Sequence, residues 1–181
     1  MKKVLYIFSQ MNDRDVEWLA ANGRKSRLKK TEVLVHKGVQ SRYLYIVLDG
    51  SLAVMAGAGD AFKVASLGSG EVVGEMSFLD GTPPSATVQA ETDSQVFSIL
   101  KTRMEDKIRS DEGFGLRLYK ALALFLTDRL RVTTAKYTGS DNGGNAEEDE
   151  SSVDELDSMM ADNVGEAGRR FSRLLSRMQD I

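Results

Sequence analysis

The sequence predicts a mainly β domain with flanking helices. Between Thr31 and Leu100, short apolar runs of strand length follow one another, and glycines separate them. Many short strands at close, regular spacing are typical of a small β-sandwich or barrel. Before and after this region, the apolar residues recur at helical spacing instead. With 181 residues, the chain is long enough for one well-packed domain and an appendage, but short for two full domains.

The predicted strands are short and glycine-punctuated. They cover Val33–Val35, Tyr43–Leu48, Ser51–Met55, Phe62–Leu67, Thr87–Ala90 and Gln95–Leu100. The Asp49–Gly50 pair after the second run is a hairpin signal, because a tight primed turn needs a positive φ that glycine adopts without a steric cost. Both prolines of the chain, Pro83 and Pro84, lie in one turn, so neither interrupts a strand.

Helices are predicted on both sides of the strands. Asp13 to Ala21 precedes them, and Thr102–Ser110 and Phe114–Lys136 follow them. The long last helix is apolar on more than one side, so it has more than one surface to bury. The simplest arrangement places one face on the β domain and another on a second copy, which predicts a homodimer through residues 114–136. The alternative is a helix that folds back entirely onto its own domain.

Composition removes several classes of site. The chain has no cysteine, which excludes disulfides and thiolate chemistry and fits a reducing compartment. Its one histidine, His36, alternates with apolar neighbours as a strand-surface residue does, so we expect no metal site. No apolar run reaches the roughly 18 residues of a membrane span, and no base stands near a nucleophile in a recognisable pattern. We therefore expect a cytoplasmic protein that is not an enzyme and has no cofactor.

The C-terminal part of the chain has an acidic segment followed by a segment with a basic face. Residues 139–158 carry eight acidic side chains and no basic one, which predicts a disordered acidic linker over 139–160, after a domain covering 1–138. Residues 161–181 are predicted as a basic amphipathic helix that fits a groove on an unknown protein partner or an anionic surface; packing onto its own domain is the alternative. Its apolar face holds Phe171, Leu174, Leu175 and Met178, and its basic face holds Arg169, Arg170, Arg173 and Arg177.

The most specific motif of the chain lies at residues 74–88, which read Gly-Glu-Met-Ser-Phe-Leu-Asp-Gly-Thr-Pro-Pro-Ser-Ala-Thr-Val. This stretch resembles the phosphate-binding cassette of the cyclic nucleotide-binding domain family. Residues 43–54 look like the family's hairpin before the cassette, and the resemblance runs from about Phe8 to Lys136. It implies a double-stranded β-helix, a jelly-roll-like β-roll, with an N-terminal helix, a cassette helix and a long C-terminal helix.

The resemblance also implies a ligand site. A short helix that begins near Glu75 would point free N–H groups at a phosphate, and Glu75 would accept the ribose 2′-hydroxyl. The alternative is that Glu75 only satisfies the N-terminus of its own helix. The cassette residues implied for the site are Gly74, Glu75, Met76, Ser77, Pro84, Ser85 and Ala86.

Pro84 departs from the family pattern, which has there the arginine that pairs with the cyclic phosphate. A charge-assisted pair of this kind contributes roughly 1.5–3 kcal/mol, so its loss weakens binding about tenfold to more than hundredfold. Proline also lacks an N–H. Another cation, such as Lys63 or Arg103, could take the place of the arginine. The outcomes left open are weak binding of cAMP or cGMP, a different ligand, or an empty pocket.

Two threonines add to the resemblance, whereas the short tail differs from the family's activators. Thr133 and Thr134 resemble the adjacent hydroxyl residues that contact adenine from each subunit of a dimer, although threonines near a helix end commonly bond local carbonyls instead. Too few residues follow Lys136 for the helix-turn-helix domain of the family's activators, and acidic charge repels phosphates. The sequence therefore predicts a bacterial stand-alone sensor or regulatory module without a DNA partner. The alternative is a degenerate scaffold for protein–protein interaction or dimerisation.

Overall fold

The structure is a computed structural model that describes the backbone of residues 7–57, 62–139 and 154–177 and the side chains of 7–57, 62–135 and 165–177. A helical segment at residues 7–10 comes first. The elements after it are α1 (Asp13–Asn22), β1 (Arg24–Leu28), β2 (Val33–Val35), β3 (Tyr43–Asp49), β4 (Leu52–Ala56), β5 (Phe62–Leu67), β6 (Val72–Val73), α2 (Glu75–Asp80), β7 (Thr87–Ala90), β8 (Ser94–Leu100), α3 (Lys101–Ser110), α4 (Glu112–Gly139) and α5 (Asp154–Arg177).

The strands form two four-stranded antiparallel sheets. The first sheet has the order β1-β8-β3-β6 and the second the order β2-β7-β4-β5. All the pairs within the two sheets are antiparallel. The short helix α2 interrupts the strands between β6 and β7, and the long helix α4 follows them. This arrangement confirms the predicted fold class, a mainly β roll with an N-terminal helix, a cassette helix and a long C-terminal helix.

The first sheet is buried on both faces because its strands alternate between two apolar clusters. In β8, Val96 belongs to the cluster between the two sheets, whereas Phe97 belongs to the cluster between the sheet and the helices. In β3, Val47 belongs to the cluster between the sheets and Ile46 to the cluster under the helices. Successive side chains of a strand point to opposite faces. The helices therefore cover one side of the first sheet and the second sheet covers the other.

Helix α4 is attached to the first sheet by one buried stripe. Its members are all nearly inaccessible to solvent: Phe114, Leu118, Ala121, Leu122 and Phe125. Their spacing of three or four residues places them on a single helix face. The stripe also meets α1, where Asp15, 2% exposed, accepts hydrogen bonds of 2.6 and 2.8 Å from Arg117. Both the apolar stripe and this ion pair hold α4 in place.

The C-terminal helix α5 packs on α1 of the same chain. Phe171 lies against Phe8, with ring centroids 5.6 Å apart, and Leu174 is fully buried. Arg173 bonds Asp13 at 2.6 Å. Of the two arrangements considered for this segment, the structure has the one in which it covers its own domain.

Within the part of the chain that the structure describes, no helix has the length and apolar character needed to cross a membrane.

The structure differs from the expected C-terminal boundaries. Residues 154–160 were assigned to a disordered linker over 139–160, but they are helical because α5 begins at Asp154. Acidic side chains are favourable in the first turn of a helix, so the charge that predicted disorder suits this helix start. The predicted tail at 161–181 joins the core of the domain rather than standing apart. Residues 140–153 and Met178 lie outside the described residues.

The hairpin predicted at Asp49–Gly50 is wrong. Gly50 has the expected positive φ of 86°, but β3 pairs with β8 and β6, and β4 pairs with β7 and β5. The turn therefore carries the chain from the first sheet to the second. An Asp-Gly pair indicates a local backbone conformation, whereas the strand partners are set by packing across the whole roll. The same correction applies to residues 43–54, which do not form a hairpin.

Two strands were not predicted. The first, β1, has the sequence Arg-Lys-Ser-Arg-Leu and lies at the edge of its sheet, paired only with β8. A basic edge strand shows little hydrophobic alternation and resists pairing with other chains. The second, β6, has only two residues, which is too short for any periodic pattern. Both strands are formed by their partners rather than by their own sequence.

Replacing Gly50 with alanine should destabilise the fold more than the same change at Gly38. Both glycines have a positive φ, +86° and +74°, which costs an alanine roughly 1–2 kcal/mol. A β-carbon at Gly50 would also lie 2.3 Å from the Ser94 hydroxyl oxygen, whereas at Gly38 it would meet no described atom within 4 Å. Urea unfolding of both variants measures the difference in the free energy of unfolding. Equal losses would contradict the crowding at the sheet crossing.

Candidate functional site

A cavity of about 280 Å3 opens between the second sheet, α2 and α4. Apolar side chains form most of its wall, and they come from both sheets and the turn after α2. The lining residues are Val35, Val54, Ala65, Leu67, Val72, Val73, Gly74, Glu75, Met76, Ser77, Thr82, Pro83, Pro84, Ser85, Ala86, Val88 and Arg129. The cavity is at the small end of ligand pockets, which are usually about 300–1,000 Å3.

Helix α2 places one carboxylate inside this cavity. The chain leaves β6 and turns at Gly74, whose φ of 89° is left-handed. This conformation is open to glycine without strain. A β-carbon at this position would lie 3.1 Å from the Tyr43 carbonyl oxygen, so the turn is also tightly packed. The next residue, Glu75, begins α2 and is only 3% exposed.

Arg129 of the long helix meets this carboxylate. Its guanidinium donates to Glu75 Oε1 at 2.6 Å and lies 3.8 Å from Glu71 Oε2. The guanidinium carbon is 5.4 Å from the centre of the Phe125 ring, one helical turn earlier. An arginine that follows a buried phenylalanine on the same face thus reaches from the core stripe into the cavity.

Burial and charge act in opposite directions on Glu75. Burial raises the pKa of its carboxyl group, and the charge of Arg129 lowers it by less, so the pKa stays above its ordinary value. Lys101, 7% exposed, does not line the cavity, and its Nζ has no hydrogen-bond partner among the described residues. Burial lowers the pKa of Lys101, while Glu105, Glu75 and Asp80 oppose that effect.

A second contact joins the cavity helix to the long helix. The rings of Phe78 on α2 and Tyr119 on α4 stack with centroids 6.4 Å apart. Together with the Glu75–Arg129 pair, this contact gives α2 one polar and one aromatic connection to α4. The two helices are therefore in direct contact at the cavity.

Comparisons with known proteins agree with this architecture. Residues 25–111 match the family model described as a cyclic nucleotide-binding domain. This part of the chain belongs to the cyclic nucleotide-binding domain family. The resemblance inferred from residues 74–88 is thereby confirmed.

This cyclic nucleotide-binding domain is similar to transcriptional regulators and to solved cyclic nucleotide-binding domains. The chain is 28% identical, over 68% of its length, to the cAMP-activated global transcriptional regulator CRP of Salmonella typhimurium, and it spans 59% of that relative's length. A cyclic nucleotide-binding domain from Methylobacillus flagellatus matches with a TM-score of 0.68 at 20% identity, covering 80% of this chain and 85% of the other. The catabolite activator protein of Thermus thermophilus gives 0.60 at 22%, covering 75% and 63%. Both structural likenesses support the fold.

The structure brings the predicted cassette residues of the cyclic nucleotide-binding domain to one place. All seven line the cavity: Gly74, Glu75, Met76, Ser77, Pro84, Ser85 and Ala86. Thr133 and Thr134 do not line it in the single chain, and both are exposed. Thr133 donates its hydroxyl hydrogen bond to the Arg129 carbonyl at 2.8 Å, which is the local contact considered as the alternative for it.

The cations proposed to replace the family arginine are engaged elsewhere. Lys63 bonds Glu91 at 2.6 Å, and Arg103 donates to the Asn22 carbonyl at 3.3 Å. Arg129, which the sequence analysis missed as a site residue, supplies the positive charge in the cavity. Its signal in the sequence is a charged residue that continues the buried stripe four positions after Phe125. Among the described residues, no group of three or more His, Asp or Glu side chains could hold a metal ion.

The stability advantage of wild type over Glu75→Gln should fall as pH rises from about 4.5, the ordinary value for this carboxyl group. Because its pKa is raised in the folded state, the folded protein holds a proton that the unfolded chain has already lost in this range. The free energy of unfolding therefore decreases with rising pH until the folded pKa is passed. The glutamine variant lacks this titration. Urea unfolding at several pH values measures both proteins; an advantage that grows with pH would contradict the raised pKa.

Proposed function

We propose that this protein is a regulatory module of the cyclic nucleotide-binding type, in which occupation of the cavity is transmitted to α4. The observation that carries the proposal is the Glu75–Arg129 ion pair, because it lies in the cavity and joins α2 to α4. Cyclic AMP or cyclic GMP binds weakly in this proposal, since Pro84 offers neither a charge nor an N–H to the phosphate.

The proposed mechanism is competition for the two partners of this pair. A hydroxyl group of the ligand donates to the Glu75 carboxylate, and an acceptor group of the ligand attracts the Arg129 guanidinium. Either contact changes the distance between the two side chains, and Arg129 moves with its helix. The ligand then favours the arrangement of α4 in which its own contacts are better, which is a shift between two populations. The Phe78–Tyr119 stack adds to the coupling.

Titration with cyclic AMP and cyclic GMP up to millimolar concentration should give heat of binding and change the fluorescence of Trp18. This side chain is the only tryptophan of the chain, and it meets Phe114 of α4 edge-on with centroids 5.4 Å apart. A displacement of α4 therefore alters its surroundings. Absence of heat with both nucleotides contradicts the proposed nucleotide binding, and heat without a fluorescence change contradicts the coupling to α4.

Paired variants test whether the fluorescence response depends on the ion pair. The double variant Glu75→Gln, Arg129→Met removes both charges together and should abolish the fluorescence response. Arg131→Met is the matched control, because Arg131 is exposed on the same helix and does not line the cavity. It should respond as wild type does.

We propose further that α4 pairs with α4 of a second copy. An exposed apolar row lies on a side of the helix away from the buried stripe. Leu116, Tyr119 and Leu130 in it are 72%, 46% and 67% exposed. With Ala123 and Leu126 between them, these residues recur at alternating intervals of three and four, the pattern of a coiled-coil seam. Thr133 continues the same spacing, which supports a role for it at the partner helix.

Replacing Leu130 with glutamate should convert the dimer into a monomer, because two charges would then face each other across the apolar seam. Arg131→Glu is the control, since it changes charge on the neighbouring position outside the row. Light scattering coupled to size-exclusion chromatography measures the mass of wild type and of both variants. A monomeric wild type, or a Leu130→Glu dimer, would count against pairing through this row.

The exposed row also favours the second candidate function, a dimerisation scaffold without a ligand. The two functions differ in the titration. A scaffold keeps the dimer mass but shows neither heat nor a fluorescence change with cyclic nucleotides. A regulatory module shows both properties together.

A further inference from the structure

The charged groups inside the cavity nearly cancel. Among the described residues that line it, Arg129 is the only Lys or Arg, and its guanidinium is already 2.6 Å from Glu75 and 3.8 Å from Glu71. Two carboxylates, that of Glu75 in the lining and that of Glu71 outside it, therefore lie near one guanidinium. Lys101 interacts electrostatically with Glu75 without lining the cavity, so even with its charge included these four side chains have no net positive charge. Among the described residues, the cation that a phosphate meets in this cavity is a guanidinium that a carboxylate already pairs.

The turn after α2 adds no charge to the lining of the cavity. Pro83 and Pro84 form part of it, and the Pro84 carbonyl accepts a hydrogen bond of 2.8 Å from the Gly38 N–H. This bond fixes the turn against the loop after β2. The other polar side chains of the lining are hydroxyl groups, those of Ser77, Thr82 and Ser85. Burying a charge without a partner is strongly unfavourable, whereas these groups suit neutral donors and acceptors.

The same cavity fits an uncharged molecule with hydroxyl groups and a flat apolar part. The Glu75 carboxylate accepts from a hydroxyl and the Arg129 guanidinium donates to one, so the pair can bind neighbouring hydroxyls without a net charge on the ligand. The valine and leucine side chains of β2, β4, β5 and β7 supply an apolar wall for a ring. The volume of about 280 Å3 suits one such ring system with a sugar and is small for a dinucleotide.

We propose that the cavity selects an uncharged purine ribonucleoside over the corresponding cyclic nucleotide. The proposal rests on the proposed function for the role of the cavity as a ligand site, and it goes further by naming the class of ligand. The ribose hydroxyls meet Glu75 and Arg129, the base lies against the apolar wall, and no group of the ligand needs a cation.

Calorimetric titration of the full 181-residue chain compares adenosine with cyclic AMP and guanosine with cyclic GMP. The expected result is that the preferred nucleoside binds at least about tenfold more tightly than its cyclic nucleotide, the factor that corresponds to one phosphate without a partner. Equal affinities, or a tighter cyclic nucleotide, would overturn this inference and leave the proposed function standing. No binding by any of the four compounds would overturn both.

Two substitutions at one position test the cause. Pro84→Arg should reverse the preference, because the new guanidinium pairs with the phosphate. Pro84→Ser is the matched neutral control and should keep the preference for the nucleoside. Circular dichroism shows whether each variant is folded, and the wild-type comparison decides the inference if either is not. An arginine variant that is folded and gains no affinity for the cyclic nucleotide over the serine variant would overturn the charge argument.

Discussion

The buried stripe of α4 determines where the functional side chains lie. Phe114, Leu118, Leu122 and Phe125 hold the helix on the first sheet, and Arg129 follows one turn after the last of them. An α-helix is stiff over this length. The guanidinium therefore cannot leave the cavity unless the buried stripe moves relative to the first sheet or the arginine changes rotamer. The apolar packing that fixes the position of α4 therefore also fixes the position of the Arg129 guanidinium in the cavity.

The Glu75–Arg129 pair is poorly explained as a contribution to stability. Removing two charges from water is costly, and a buried ion pair is often no more stable than apolar residues of the same volume. Burial raises the pKa of the Glu75 carboxyl, and the charge of Arg129 lowers it by less. A pair that is expensive to keep and easy to exchange for ligand contacts suits a switch between two arrangements.

The sequence predicts what depends on local pattern and fails where distant segments decide. Apolar runs separated by glycines locate six of the strands within one or two residues, and the motif at 74–88 identifies the cavity helix. The basic strand β1 depends on its partner β8, and the two residues of β6 carry no pattern, so both were missed. The Asp49–Gly50 turn was assigned the right φ and the wrong partners. Arg129 was missed because its contact with Glu75 joins positions 54 residues apart, and Pro84 gave no indication of where a replacement cation would come from.

Helix α1 connects α4 to the C-terminal helix α5 through ion pairs. Asp15 near the start of α1 binds Arg117 of α4, and Asp13, two residues earlier, binds Arg170 and Arg173 of α5. The apolar groups of all three helices share one cluster with the first sheet. A movement of α4 large enough to displace Arg117 would therefore disturb the start of α1, where Asp13 binds α5. The ion pairs of α5 are partly exposed and contribute little individually, so the attachment of α5 depends mainly on buried apolar side chains such as Phe171 and Leu174.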